Sequence, residues 1–550
     1  MTDDDSSGPF PYVTADEATD CRFDPRQGHA NLAHWFVHRR CELGDGDRVA
    51  LRVDVEGAQG TGTSSVVTYD QLADRVRRVA SMLETRGLRC EERVLLAIPD
   101  GVEMAQSILG VVHAGAVAVM INPELDQDLL QHLLDESRAR LVLTTTALRQ
   151  RLEACERRFL LDVLYWDDPA TQAAFERAEP RPEPFASHPD DAAIWLFSGG
   201  TTGRPKAVVQ SHQSFVHTTR RYAHGVLGLN EGDVTLSVPK LHFGYATGSN
   251  LLFPLSVGAS AVLFPERCTA QRLFELIERH RPTILINVPT MIGKMLSGEG
   301  VEQRDLSCLR LVTSAGEALP EELDRRWRET FGAPILDGLG TAEMWHVFLT
   351  NHPGDVHPGT LGRAVEGFDV EVRGDDGLPL ADGQVGWLWV RGDSRAHGYW
   401  QRRERSRQSF RGEWVVTGDM VRRDASGVFT YCGRGDDMVK VSGKWLWPKE
   451  VENCLLGHPA VREAAVLGVE DAAGLVKPWA FVLLQEAAEN AESDDSAATS
   501  RSVAEQLRQH ALACLEPYKA PREVRVLDDF PRTHLGKVDR GSLRRLARGE

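Results

Sequence analysis

Short apolar segments recur along the chain after Tyr69, and a stretch of helical length separates most of them from the next. They occupy residues 94–98, 116–120, 141–143, 194–197, 234–238, 261–264, 284–286 and 309–312. Strands that alternate with helices favour parallel sheets whose faces are covered by helices. The sequence therefore predicts an α/β fold with a large N-terminal domain of parallel-rich sheets.

The pattern changes after Gly359. Valine, tryptophan and glycine at short spacing over 370–373 and 386–390 predict a small antiparallel β unit that belongs to the large domain. Residues 434–437, Arg-Gly-Asp-Asp, form a polar joint between β-rich segments and give the best domain boundary. We therefore expect a large domain over 1–435, a hinge at Asp436 and a small mobile domain over 436–550.

The last hundred or so residues predict a compact α+β domain. The predicted elements are a helix over 448–457, strands over 464–469 and 479–484, and a helix over 502–514. Between the last two, Glu486 to Ser500 is acidic and is predicted to be a solvated loop.

Size and charge narrow the class of protein. With 550 residues the chain is too long for a single core. A net charge of -17 disfavours nucleic acid and anionic membrane as partners. The nine cysteines form no C-x-x-C pair, which favours a reducing compartment and argues against a zinc site. The N-terminus is acidic and no apolar run is long enough to span a bilayer, so we expect a cytoplasmic protein.

A polar loop directly follows the apolar strand over 194–197. Its residues are Ser198, Gly199, Gly200, Thr201, Thr202, Gly203, Arg204, Pro205 and Lys206. Glycines let a backbone approach phosphate oxygens closely, and hydroxyl and lysine side chains add donors and charge. A Walker loop would need G-x-x-x-x-G-K-[ST], whereas here a proline precedes the lysine. The loop predicts phosphate binding of another kind.

This loop resembles the phosphate-binding motif of the adenylate-forming superfamily, which includes acyl-CoA synthetases, peptide-synthetase adenylation domains and beetle luciferases. Four further motifs of that superfamily follow in order, at 338–343, 417–419, 433–437 and 531–537. Within the superfamily, residues 239–248 and 343–346 are most similar to the benzoate-CoA ligase branch. The resemblance implies a ligase that activates an aryl or other bulky cyclic acid through an acyl-adenylate and transfers it to CoA. It also implies ATP and CoA as co-substrates and Mg²⁺ as cofactor.

The resemblance also implies which residues bind the nucleotide. Lys537 is the adenylation lysine, Glu343 binds Mg²⁺, and Asp419 holds the ribose hydroxyls with help from Arg434. The remaining residues assigned to ATP and AMP are the loop residues Ser198, Gly199, Gly200, Thr201, Thr202, Gly203 and Lys206, together with Gly316, Glu317, Asp337, Gly338, Thr341 and Ala342.

Two further groups of residues are implied in the same way. The acid pocket is assigned to His242, Tyr245, Ala246, Ala315, Gly340 and His346. Tyr245 and His346 could instead be core residues with satisfied polar tips. No aspartate lies near Phe243 to pair with an ammonium group, which disfavours an α-amino acid. After rotation about Asp436, Gly443, Lys444 and Trp445 would form the face that meets CoA.

Three positions depart from the superfamily pattern. Gly199 replaces a hydroxyl residue, Ala207 replaces a glycine after the loop lysine, and Ala342 replaces a threonine that donates to the α-phosphate. Loss of one such donor costs roughly 2.7–4 kcal/mol in the transition state. A Cβ at position 207 could restrict a loop that needs glycine freedom. Thr341 could compensate, although in an extended stretch its side chain would point the other way.

Two alternatives to this reaction stay open, and the first of them follows from the departures. The protein could perform only thioesterification from a preformed acyl-adenylate, or it could pass the acyl group to a carrier-protein thiol. A non-catalytic binder of acyl-adenylates is disfavoured because Lys537, Glu343, Asp419 and Arg434 are all present. A homodimer is also left open.

Overall fold

The computed structural model describes residues 30–56, 63–199, 204–298, 300–441, 444–471, 475–485, 496–532 and 538–549. The strands in these ranges are β1 Val49–Val55, β2 Thr63–Thr68, β3 Arg93–Ala97, β4 Val117–Met120, β5 Leu141–Thr144, β6 Asp162–Tyr165, β7 Ala192–Ser198, β8 Lys206–Ser211, β9 Val234–Ser237, β10 Ser260–Leu263, β11 Ile284–Asn287, β12 Leu311–Ala315, β13 Ile335–Gly340, β14 Val347–Thr350, β15 Arg363–Ala364, β16 Asp369–Arg373, β17 Val385–Arg391, β18 Gly398–Tyr399, β19 Phe410–Arg411, β20 Trp414–Arg423, β21 Phe429–Arg434, β22 Val439–Val441, β23 Lys444–Leu446, β24 Val461–Glu470, β25 Val476–Leu484 and β26 Glu523–Val526.

The α-helices in the described ranges vary from a single turn to nineteen residues. They are Arg39–Glu42, Tyr69–Thr85, Val102–His113, Gln127–Ser137, Arg149–Glu153, Pro169–Arg177, His212–Thr218, Gly244–Thr247, Phe253–Val257, Ala270–His280, Pro289–Leu296, Glu321–Phe331, Arg403–Ser409, Pro448–Leu456, Ser496–Cys514 and Arg540–Arg548. Among the described residues, no helix is both long and apolar enough to cross a membrane.

Two large mixed sheets carry the N-terminal part of the chain. One has nine strands in the order β15-β14-β13-β12-β11-β9-β10-β1-β2, and its six strands from β13 to β1 are parallel. The other has seven strands in the order β18-β8-β7-β4-β3-β5-β6 and is parallel from β7 to β6. The predicted α/β class with parallel-rich sheets is confirmed.

The central strands are buried along their whole length. β4, β5, β10 and β11 are buried at every position, as expected for parallel strands covered on both faces. The covering helices show the matching pattern. The helix Ala270–His280 begins where the Thr269 hydroxyl accepts from Arg272 N, and it buries Leu273, Phe274, Leu276 and Ile277. These side chains pack in one apolar cluster with Leu236, Val262 and Leu285 of β9, β10 and β11.

The predicted small β unit is present as an antiparallel sheet of β16, β17, β19, β20 and β21. Beyond it, β24, β25 and β26 form a separate three-stranded sheet whose cores draw only on residues after 438. One boundary is wrong. The stretch expected to be a loop up to Ser500 is helical from Ser496 onward. The division at 435/436 remains a prediction, and a short 3₁₀ turn, Gly435–Asp437, lies there.

Candidate active site

The predicted phosphate loop connects two paired strands. β7 and β8 are antiparallel, and their last register pair joins Ser198 to Lys206. Gly199 is exposed and follows directly after Ser198. Gly200, Thr201, Thr202 and Gly203 lie outside the described residues. Ser198 and Lys206 are therefore held opposite each other at the base of the loop.

Ala207 lies inside β8, where it pairs with Phe197 and accepts a hydrogen bond from Trp400 N at 2.9 Å. Its side chain is fully buried and packs near Trp195. The expectation that its Cβ restricts a flexible loop is wrong, because an extended strand position accepts any L-residue. A glycine here would remove a buried methyl group and gain no useful freedom.

Glu343 lies at the centre of a compact cluster beside the base of the loop. Its Oε1 accepts from the Tyr399 hydroxyl at 2.6 Å and from Ser198 Oγ at 3.4 Å. Lys206 Nζ lies 4.2 Å from the centroid of the Tyr399 ring, a cation–π distance. Burial lowers the pKa of Lys206, and the charge of Glu343 opposes that shift. A lysine, a carboxylate and two hydroxyls thus converge at one point.

Sequence analysis missed Tyr399. The residue reaches the site because β18 pairs with β8, which sets Tyr399 opposite Val208. The aromatic pair Tyr399-Trp400 after Gly398, next to an arginine-rich run, was the only signal in the sequence. A two-residue strand added at a sheet edge gives no periodic pattern to detect.

Ala342 begins a short 3₁₀ turn, Ala342–Met344, rather than continuing an extended stretch. The Thr341 hydroxyl accepts from Met344 N at 3.3 Å and so caps this turn. The Ala342 methyl packs against the cluster of Val208, Ala396 and Tyr399. Its carbonyl accepts from Gln210 Nε2 at 2.6 Å. The local chain conformation is thus fixed by packing and capping.

Asp419 and Arg434 form the ion pair expected for the ribose side. Arg434 Nη1 lies 3.1 Å from Asp419 Oδ1 and donates to the Thr417 carbonyl at 3.0 Å. The Tyr431 hydroxyl, also missed in the sequence, lies 3.4 Å from the same Oδ1. Burial raises the pKa of Asp419, whereas Arg434 lowers it. The register pair Asp419–Arg434 across β20 and β21 explains why residues fifteen apart meet.

The segments expected around adenine lie at the carboxyl ends of β12 and β13. Ala315 pairs with Gly338 across these parallel strands, so their ends share one edge of the sheet. Gly316 turns the chain there with φ +89, a conformation that favours glycine. Asp337 is buried, which raises its pKa to about 7. Its Oδ1 has no hydrogen-bond partner among the described residues, so a ligand amine would find an acceptor there.

Glu317 is the remaining residue assigned to the adenine side. Its carboxylate accepts from the Thr290 hydroxyl at 2.7 Å. This bond ties the segment after β12 to the helix Pro289–Leu296, which follows the neighbouring strand β11.

Of the six residues that the resemblance assigns to an acid pocket, three are in contact, namely Tyr245, His346 and Gly340. The rings of Tyr245 and His346 lie 5.3 Å apart, and Tyr222 and Phe253 flank His346 on other sides. Gly340 has no room for a side chain, since a Cβ would lie 2.4 Å from the His346 carbonyl oxygen. Ala315 is on the neighbouring strand end. His242 and Ala246 flank the same segment as Tyr245, without a contact to His346 among the bonds and ring pairs described.

The polar atoms of the two central residues have protein partners. The Tyr245 hydroxyl bonds Thr313 Oγ1 at 2.6 Å. His346 Nε2 lies 3.1 Å from both Ser249 Oγ and the Tyr245 carbonyl oxygen. His346 Nδ1 and His242 Nε2 are buried without a partner in the described part of the chain. Burial lowers the pKa of both histidines to about 3, so both rings are neutral.

Trp345 links the phosphate side to the acid side through an unusual turn. It has φ 61 and ψ -49, and His346 N donates to the Met344 carbonyl at 2.8 Å across it. These values describe a γ-turn with positive φ, which is rare and strained for a bulky residue. The turn points Glu343 toward Lys206 and leaves His346 among aromatic rings.

The remaining predicted residues lie beyond β21. Asp436 is in the short turn Gly435–Asp437, and its charge acts on Lys206. Lys444 pairs with Val441 across a β22–β23 hairpin and lies 4.9 Å from the Tyr518 ring. Trp445 pairs with Lys440 in the same hairpin. Gly443 and Lys537 lie outside the described residues.

The site residues described above are close enough for their charges to interact, so they form one region. Glu343 raises the pKa of Asp419 and acts on Lys206, which links the ribose and phosphate sides. Asp337 acts on Tyr245, which links the adenine side to the acid pocket. The arrangement places a polar cluster with lysine and arginine charge beside a buried cluster of aromatic rings.

Comparisons with known proteins agree with this geometry. The family described as AMP-binding enzyme matches residues 38–400, and the family described as AMP-binding enzyme C-terminal domain matches residues 450–537. A benzoate–CoA ligase of Thauera aromatica is 39% identical over 488 residues, covering 87% of this chain and 90% of that protein. A 4-hydroxybenzoate–CoA/benzoate–CoA ligase of Rhodopseudomonas palustris is 38% identical, covering 94% of each. The crystal structure of the anthranilate CoA ligase AuaEII with anthranoyl-AMP superimposes with a TM-score of 0.87 at 35% identity, covering 94% of this chain and 98% of that one.

Proposed function

The chain belongs to the AMP-binding enzyme family, and on that premise we propose that it is an AMP-forming ligase that joins an aryl carboxylic acid to coenzyme A. The carboxylate oxygen attacks the α-phosphate of ATP, and pyrophosphate leaves with its bonding electrons. The thiolate of CoA then attacks the acyl carbon of the aryl-adenylate, and AMP leaves. Relatives that act on benzoate and hydroxybenzoate support the substrate class.

One observation carries the proposal most directly. Glu343 and His346 lie on the two sides of the turn at Trp345, so the polar cluster and the aromatic cluster adjoin. Adenylation requires this, since the acid carboxylate must be aligned with the α-phosphate. The rings of Tyr245, Tyr222 and Phe253 surround His346, whose own ring is neutral because burial lowers its pKa to about 3. These properties favour a planar aromatic acid over an amino acid.

Each cluster has a proposed role. Ser198, Lys206 and the loop between them bind the pyrophosphate end of ATP. Asp419 and Arg434 hold the ribose, and the Asp337 carboxyl accepts from the adenine amine. Lys537 binds the carboxylate and α-phosphate during adenylation. Lys444 meets the phosphates of CoA after the small domain rotates at Asp436.

Mg²⁺ belongs to the proposal, and the donor set fits it. Mg²⁺ is bound in such sites by one or two carboxylates together with substrate phosphates. Glu343 supplies a carboxylate that the Tyr399 hydroxyl orients. When bound, the ion would neutralise charge on the phosphate oxygens.

The two alternative reactions are not favoured. Ala207 is a buried strand residue, so it gives no reason for an impaired loop. The relatives from Thauera aromatica and Rhodopseudomonas palustris are CoA ligases, and this chain covers at least 90% of each.

The test is a panel of acids with ATP, Mg²⁺ and CoA, followed by mass spectrometry of the thioesters and measurement of AMP. The panel contains benzoate, hydroxybenzoates, anthranilate, a straight-chain aliphatic acid and an α-amino acid. We expect an aryl-CoA and equimolar AMP, and little product from the last two acids. Glu343→Ala serves as the inactive control. Turnover confined to aliphatic acids, or aryl-AMP without thioester, would contradict the proposal.

A further inference from the structure

Two cysteines and a histidine meet on the small domain, away from the proposed active site. The two Sγ atoms of Cys454 and Cys514 and one ring nitrogen of His510 all lie within 4.8 Å of one another. No other group of this kind was found among the described residues. The cluster is absent from the sequence prediction because Cys454 lies far along the chain from His510 and Cys514, and the cysteines form no C-x-x-C pair.

The fold brings the three side chains together in a simple way. His510 and Cys514 are one turn apart on the helix Ser496–Cys514, so they share a face. Cys454 is on the helix Pro448–Leu456, which packs against that face through Leu455, Leu507 and Ala511. Cys454 and His510 are half-buried, and Cys514 is exposed.

A hydrogen bond to the backbone fixes the tautomer of the His510 imidazole. Its Nε2 donates to the Cys454 carbonyl oxygen at 3.0 Å, which leaves Nδ1 with a free lone pair. Metal-binding histidines commonly donate their other ring N–H to a backbone carbonyl, which fixes the tautomer and the ring. The His458 ring packs edge-on against His510, with centroids 5.3 Å apart.

We propose that Cys454, His510 and Cys514 form a site for a thiophilic divalent cation of the Zn²⁺ class, with a fourth position open to solvent. Two thiolates and an imidazole are ligands that Zn²⁺ prefers over Mg²⁺. Tetrahedral bonds of about 2.0–2.3 Å separate ligand atoms by about 3.3–3.8 Å, so closure needs side-chain shifts of at most about 1.5 Å. The bound ion would fasten the two helices together.

Proton release follows from the state of the free thiols. A thiol binds a metal ion as its thiolate, so both cysteines lose their protons on binding. Cation binding must expel these protons, and affinity therefore rises with pH.

The test is a titration of the full chain with Cd²⁺, after the protein has been reduced and treated with a chelator. Binding is measured by the ultraviolet absorption band that arises when thiolates bind cadmium. We expect one equivalent to bind with this absorption. Cys454→Ser, Cys514→Ser and His510→Gln should each weaken binding at least about tenfold. His510→Gln keeps an amide donor for the Cys454 carbonyl, which guards against simple misfolding. Cys90→Ser removes the other exposed cysteine of the described residues and is the matched control.

A second measurement, of the unfolding temperature, tests the proposal independently of the absorption band. Zn²⁺ should raise the unfolding temperature of the wild type and of Cys90→Ser, but not of the three site variants. Equal Cd²⁺ absorption in Cys454→Ser and Cys90→Ser would overturn the proposal, as would a wild type with no such absorption. A Cys454–Cys514 disulfide in a chain that binds no Cd²⁺ after reduction would show a redox pair instead. The result is independent of ligase activity, since oxygen ligands at Glu343 give no thiolate band.

Discussion

Tyr399 positions Glu343 by a single hydrogen bond, and this bond can be removed without changing the packing. Tyr399→Phe deletes the hydroxyl that donates to Glu343 Oε1 and keeps the ring over which Lys206 lies. A hydrogen bond to a charged group contributes about 1.5 kcal/mol, which corresponds to about a tenfold slower adenylation. Acid-dependent exchange of pyrophosphate into ATP measures this rate. An unchanged rate would remove Tyr399 from the site, and Tyr165→Phe controls for loss of a phenol elsewhere.

Asp337 should make the folded protein less stable as the pH rises from about 4 to about 7. Burial raises its pKa to about 7, against about 3.9 in an unfolded chain. The folded state therefore binds more protons between about pH 4 and 7, and its stability falls as the pH rises through that window. Above about pH 7 both states ionise and the loss levels off.

Asp337→Asn lacks this ionisation. Its free energy of unfolding relative to wild type should increase from about pH 4 to about pH 7 and then stay constant. Chemical denaturation at several pH values measures the difference. Asp528→Asn, at an exposed position, is the control. A difference that does not vary with pH would contradict the raised pKa.

At the scale of elements, the turn at Trp345 should make a glycine variant more stable than an alanine variant, which is the reverse of the order in a helix. A non-glycine residue with positive φ costs about 1 kcal/mol, which glycine avoids. Trp345→Gly should therefore be more stable than Trp345→Ala by about this amount. Trp327 is also fully buried, but it lies in the helix Glu321–Phe331, where alanine is favoured over glycine by about 1 kcal/mol. Thermal unfolding of the four variants gives both orders, and the same order at the two positions would contradict the strained turn.

The elements also separate what the sequence could predict from what it could not. The apolar pattern located β4 and β5 because these buried parallel strands are nearly continuous apolar runs. It did not locate β18, since a two-residue edge strand has no period. The motif resemblance placed Ala207 in a loop because the motif ends there, whereas the register pair with Phe197 assigns this residue to β8. Pairing between distant strands decides such cases, and one sequence does not contain it.

The residues of the candidate site also divide into those that the sequence predicted and those that it did not. The resemblance named Glu343, Asp419 and Arg434, and these lie close together in the structure. Tyr399 and Tyr431 hold two of those residues in place but lie outside the motifs. Supporting residues are chosen by the packing of this chain, so they become visible only in the folded molecule.

At the scale of the whole molecule, the two half-reactions should separate. Lys537→Ala should slow formation of the aryl-adenylate at least about a hundredfold, because it removes charge aimed at the transition state. Thioester formation from supplied aryl-adenylate and CoA should be nearly unchanged, since a different face serves that step. Mass spectrometry of the two products after separate incubations measures both rates. Equal loss of both would contradict domain alternation.

Asp436→Pro tests the hinge itself. Proline fixes φ at about -65° and so removes the freedom that rotation at this turn requires. One half-reaction should persist and the other should fall, according to the state that is trapped. Ala425→Pro, in the exposed turn between β20 and β21, controls for proline elsewhere. Undiminished rates of both steps would remove Asp436 from the hinge.

The turn at Trp345 has a consequence for the evolution of substrate range. Glu343 and His346 are separated by two residues whose backbone is fixed by the hydrogen bond from His346 N to Met344 O. Mutations at neighbouring positions couple strongly in their effects. On the roles proposed for Glu343 and His346, a lineage that acquires a new acid by changing His346 should perturb nucleotide handling as well, and compensating changes near Tyr399 should accompany it. New specificities in this scaffold should arise by linked steps, with the order of the mutations deciding which are accessible.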